Sequence, residues 1–116
     1  MKENIIKIKS FDFALTIVKL CQDLVGKKEY VLSKQLLRSG TSIGALVREA
    51  EQAESKADFI HKLSIALKEA NESEYWIELL FKSNYLSAID YNNLLIELKE
   101  ILKLLTSIIK TSKQVK

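Results

Sequence analysis

Apolar residues recur along the chain at three- and four-residue spacing, which is the helical period. From Phe11 to Val25 two such rows run side by side: Phe11, Leu15, Val18, Val25 and Phe13, Ile17, Leu20, Leu24. Only Asp12, Thr16, Lys19 and Asp23 remain as a narrow polar strip, so this first helix carries more apolar surface than one core consumes. Ser10 is a good N-cap with Asp12 in the first turn, and Gly26-Lys27-Lys28 ends the helix after about Val25. Leu32, Leu36, Ser39, Ile43, Leu46 or Val47 and Ala50 form the inward face of a second helix. Its centre, Ser39-Gly40-Thr41-Ser42-Ile43-Gly44, is weak, since each glycine costs about 1 kcal/mol of propensity relative to alanine, so a kink or a close helix contact is expected there.

Ser55-Lys56-Ala57-Asp58 fits a capping box that opens a third helix, in which Phe59, Leu63, Ala66, Ala70, Ser73, Ile77 and Leu80 alternate by three and four. The small residues at the centre of that seam let a neighbour approach closely. Ser87-Ala88-Ile89-Asp90 repeats the capping pattern before a fourth stripe, Leu94/Leu95, Leu98, Ile101/Leu102, Leu105 and Ile108/Ile109. Short connections at Gly26–Glu29 and Asn84–Ser87 make sequential helices antiparallel neighbours. The fold expected is all-α, an antiparallel up-down-up-down four-helix bundle with a kinked second helix. It occupies residues 1–116 as one domain, with 1–9 and 111–116 as frayed ends. Composition agrees: hydrophobic residues are 47% and charged residues 28%, with no proline and 3 glycines, which favours long helices over turn-rich β structure. The single cysteine, Cys21, excludes an internal disulfide. No secretory leader pattern opens the chain and no apolar run approaches the roughly 20 residues of a bilayer span, so a cytoplasmic protein without membrane contact is expected.

Candidate chemistry is sparse. Asp58 and His61 share the acid-x-x-His spacing of di-iron bundles, but such centres need two pairs plus two further glutamates and the chain has 1 histidine. Cys21 sits among apolar positions without a histidine base, and Ser39, Ser42 and Ser55 are explained by packing and capping. No catalytic, metal or cofactor residue and no small-molecule substrate emerge, so an enzyme is not expected. Glu69, Glu72, Glu74 and Glu78 cluster on the third helix, with Glu74 close to its inward arc. A charge there needs a partner, and Lys34 and Arg38 on the facing half of the second helix are the candidates, forming with Glu69 and Glu74 a structural ion-pair network.

The net charge of +3 conceals segregation. Residues 1–39 hold eight basic and four acidic groups, residues 40–100 six and eleven, and residues 101–116 four and none. In the expected topology the chain's two ends lie together, so Lys2, Lys7 and Lys9 gather near Lys103, Lys110, Lys113 and Lys116, a cluster that a polyanion such as RNA would sense. No carboxylate follows Glu100, so no helical neighbour neutralises the last three lysines.

The segments LLRSGTSIGALVREAEQAESKADFIHKL and ALKEANESEYWIELL resemble the bacterial four-helix-bundle proteins related to the 23S ribosomal RNA intervening-sequence proteins. The resemblance spans the chain from about Phe11 onward and is most specific over the second and third helices. It departs where many members have proline at the position of Gly44 and asparagine at that of Leu46. It implies a bundle assembled into a ring, usually a homopentamer, without catalytic residues. A related group, the accessory proteins of diversity-generating retroelements, has the same architecture and works with a reverse transcriptase and RNA. With the surplus apolar row, this makes Phe13, Ile17, Leu20 and Trp76 the candidate subunit interface. Two functions follow as expectations: a ring-shaped scaffold or adaptor that holds RNA, another nucleic acid or a nucleic-acid-processing protein, and a purely protein-binding or structural homo-oligomer.

Overall fold

The structure, a computed structural model, describes residues 2–114, apart from the side chain of Glu3. Four helices, α1 (Lys2–Gly26), α2 (Val31–Glu51), α3 (Lys56–Lys82) and α4 (Ala88–Gln114), pack around one core, and among the described residues there is no strand. The body is elongated, 50 × 22 × 19 Å, as long helices with short connections require. On α1 and α2, Lys7 meets Glu51, Ser10 meets Gly44, Ile17 meets Gly40 and Cys21 meets Ser33. Between α2 and α3, Arg38 meets Glu69 and Ser39 meets Ser73, while Glu49 meets Lys62; between α1 and α4, Lys2 meets Ser107 and Lys9 meets Glu100.

The first helix starts nine residues earlier than its capping serine predicts. Ser10 is fully buried inside α1, where its hydroxyl donates to the Lys7 carbonyl, and a Cβ on Gly44 would lie 3.3 Å from the Ser10 carbonyl oxygen. A small residue is therefore used for close helix approach, not for capping, and Ile6, 2% exposed, carries the core phase upstream of it. Residues 2–9 and 111–114 are helical. The starts of α3 and α4 follow the sequence: the Asp58 amide donates to Ser55 Oγ at 3.0 Å and the Asp90 amide to Ser87 Oγ at 3.1 Å. The Asp58 carboxylate reaches back one residue beyond the cap, accepting from the Glu54 amide.

α2 has no serine or threonine at its start. Glu29 takes that role, its carboxylate accepting from the amides of Val31, Leu32 and Ser33 at 3.3, 3.1 and 2.6 Å. Its own carbonyl accepts from Ser33 Oγ at 2.7 Å. Burial pushes the Glu29 carboxyl up, but the three backbone donors outweigh it and hold the group below the usual glutamate range. α1 and α3 end alike: Lys28 and Asn84 adopt left-handed φ of 67° and 68°, and the following amides, of Glu29 and Tyr85, donate to the Leu24 and Leu80 carbonyls.

Candidate functional site

The α2–α3 seam contains a buried polar contact at its centre. Ser39 and Ser73, both fully buried, place their hydroxyls 3.0 Å apart, and Ser73 Oγ also donates to the Glu69 carbonyl at 2.9 Å. Where that seam reaches the surface, the Arg38 guanidinium forks to two glutamates one turn apart, Glu69 at 2.9 Å and Glu72. Trp76 Nε1 donates to the same Glu72 carboxylate, and Tyr75 stands edge-on to the Trp76 ring. The expected network thus forms around Arg38 and Glu69, but Lys34 and Glu74 join no ion pair among the described residues. A planar fork serves two acids on α3, and Glu72, not Glu74, stands at its level.

The interface expectation needs revision on α1. Phe13 and Ile17 are 0% exposed within a single chain, and Ile17 fills the notch left by Gly40, whose Cβ would stand 3.0 Å from two of its carbons. These residues build the core and have no surface to offer a second subunit. Leu20 is half-buried and lines the α1–α4 groove, and Trp76 is half-buried against the core with its N–H satisfied. The exposed row is the other one: Ile8, Phe11, Leu15, Val18 and Val25, from 36% to 61% exposed, at alternating three- and four-residue steps interrupted only by Gln22. Leu37 of α2 continues it, and Val18, Cys21, Gln22, Val25 and Leu37 enclose an apolar cleft of about 390 Å³. Arg48 lies 5.0 Å over the Phe11 ring at the edge of this surface.

Cys21 forms the floor of the cleft, 5% exposed, with Sγ 3.3 Å from the Ser33 carbonyl. Burial, and secondarily the Glu29 carboxylate, push its thiol up to about 11, so it stays protonated at neutral pH. His61 is exposed, and Asp58 is engaged as a cap. Among the described residues no group of three or more His, Cys, Asp and Glu stands where it could hold a metal ion.

The start of α1, the end of α2, the start of α3 and the end of α4 meet at one end of the molecule, where Ile6, Val47, Phe59, Leu63 and Ile108 line a common small cavity. The predicted lysines divide there. Lys7 pairs with Glu51 at 3.3 Å, Lys9 with Glu100 at 3.0 Å, and Lys2 donates to Ser107 Oγ at 2.5 Å. Lys103, Lys110 and Lys113 are exposed and join no ion pair among the described residues, and Lys116 lies outside them. Along the opposite flank, α1 and α4 leave a groove of about 240 Å³ lined by Thr16, Leu20, Asp23, Asp90, Asn93, Leu94 and Glu97. Among the described residues no helix is long and apolar enough to cross a membrane.

Four helices around a single core, carrying an outward apolar row beside an inward one, define an all-α helical-bundle protein. Within that class the chain belongs to the 23S rRNA-intervening sequence protein family, whose model matches residues 2–107. It is similar to a solved protein of unknown function from the S23 ribosomal protein family of Bacteroides thetaiotaomicron VPI-5482, determined at 1.70 Å resolution. The two share 59% sequence identity and superpose with a TM-score of 0.93, over 95% of this chain and 99% of that one. No curated protein matches the chain.

Proposed function

We propose that this chain is a non-enzymatic scaffold: an antiparallel up-down-up-down bundle, bent near Gly40 and Gly44, whose copies associate through the outer face of α1 into a closed ring. The observation that carries this reading is the exposed row Ile8, Phe11, Leu15, Val18 and Val25. Its heptad-like spacing suits another helix, and a contiguous apolar stripe of this length on a small soluble domain is a docking feature more than a random surface. Thr41 and Ser42 donate back to the Leu37 and Arg38 carbonyls, a pattern that favours a bend in α2. Five copies is the number that the family resemblance implies.

Size exclusion with light scattering tests the assembly. The parent chain should elute as one species several times 13.2 kDa. Leu15→Glu with Val18→Glu should give a folded monomer, and a parent that is monomeric at micromolar concentration rejects the reading.

A second reading concerns a polyanion, favoured by Lys103, Lys110 and Lys113 standing exposed without carboxylate partners. A ring would repeat that cluster around one rim and hold RNA, or another nucleic acid, through its phosphates without reading sequence. Filter binding of random RNA tests it, and the protein-only scaffold is what remains if none is retained by an intact oligomer.

A further inference from the structure

α1 and α4, the first and last helices, share no connecting turn and form the most thinly packed of the four seams. The seam has two halves. Near the chain ends it is clasped by Lys2 on Ser107 and by Lys9 on Glu100. Beyond them it opens into the groove over Leu20 and Leu94.

Acidic groups dominate the walls of that opening. Asp23 lines it from α1 and Asp90 and Glu97 from α4, and Glu97 also lines a smaller neighbouring cavity of the same seam with Lys9, Asp12 and Glu100. Lys9 is taken by Glu100, so Glu97, half-buried, looks across at Asp12 without a positive partner of its own. Two helices that share a leucine floor but line it with like charges are pulled together by one term and pushed apart by another. Only the second depends on protons.

The geometry points to a proton-operated clasp: with Glu97, Asp12 and Glu100 ionised the α1–α4 seam stands open over Leu20 and Leu94, and proton uptake on Glu97 lets the two helices close. A protonated carboxyl donates a hydrogen bond to a facing carboxylate, which turns the repulsive pair into an attractive one. Burial, then Asp12 and Glu100, raise the Glu97 carboxyl above its ordinary value of 4.5, and Lys9 only partly opposes them. The folded chain therefore binds this proton more tightly than the unfolded chain does. The stabilisation is fully present below the ordinary glutamate range and is lost as pH rises through the folded value, opposite to the behaviour of Glu29.

Hydrogen exchange of the α1 amides from Thr16 to Asp23, corrected for intrinsic chemistry, tests the clasp when compared at about pH 7.5 and about pH 4. Protection in the parent should rise on acidification, approaching tenfold for each unit by which the folded pKa exceeds the unfolded one. Glu97→Gln should show the raised protection already at the higher pH and lose the dependence. Asp12→Asn should shift the parent the same way by a smaller factor, and Glu78→Gln, on exposed α3 surface, should change nothing. Should a variant fold poorly, carboxyl carbon NMR of Glu97 in the parent decides, since an ordinary titration overturns the clasp. Protection in the parent that is flat or falling with acid, or a Glu97→Gln chain that still follows the parent, overturns it as well.

Discussion

Lys28 and Asn84 hold the same position in two helix-ending turns, yet they bear it differently. Asparagine tolerates a left-handed backbone, whereas a lysine Cβ there is strained by about 1 kcal/mol or more. Lys28→Gly should raise stability by about 1 kcal/mol, read as a shift in denaturant midpoint, and Asn84→Gly by less. Gly40 is the converse case. An alanine there drives its Cβ into Ile17, so Gly40→Ala should destabilise by about 1–3 kcal/mol, while Gly44→Ala, against a carbonyl at 3.3 Å, should cost less. Glu29 gives a pH signature. Its carboxyl lies below the ordinary value, so its contribution is present above about pH 4.5 and disappears as pH falls through the folded value. Glu29→Gln should lose about 1 kcal/mol at neutral pH and flatten the acid limb of the stability curve. Sequence reading found the serine caps because Ser-x-x-Asp is a local pattern. It missed Glu29 because a glutamate outside the helix becomes a cap only when the turn folds it back onto three amides.

At the scale of elements, α1 shows where periodicity stops being informative. A helix apolar on two faces has no single preferred phase, so the spacing that gave both rows could not say which faces inward. The choice is made by α2: Gly40 offers a notch to Ile17 and Gly44 one to Ser10, and the row carrying Phe13 and Ile17 turns in. α3 had no such ambiguity: of its row Phe59, Leu63, Ala66, Ala70, Ser73, Ile77 and Leu80, Phe59 is half-buried and the rest are buried. The two α1 rows should separate by experiment. Ile17→Glu buries a charge in the core and should unfold the chain, a loss on the order of 3–5 kcal/mol in thermal melts, whereas Leu15→Glu should preserve helicity and change only elution volume.

For the whole molecule, the basic ends were visible in the charge count, but their neutralisation was not, because Glu51 and Glu100 are 44 and 91 residues from the lysines they meet. Pairings of that range depend on helix register, which no local pattern encodes. If RNA is held, Lys103, Lys110 and Lys113 carry the contacts. Replacing all three by glutamate should abolish retention at about 50 mM salt, and each lost contact should flatten the salt slope by about 0.7–0.9. Lys7→Glu should matter less, its charge already being shared with Glu51. The buried thiol offers a built-in clock. Cys21 sits on α1 against the first turn of α2, protonated and 5% exposed at the floor of the Val18–Leu37 cleft, so an aromatic disulfide reagent reaches it through that cleft and only as the surrounding packing loosens. The labelling rate at fixed pH therefore reports how often the cleft loosens, in native buffer and without an introduced probe. Any association that covers the Val18–Leu37 cleft should slow it in proportion to the fraction of chains engaged.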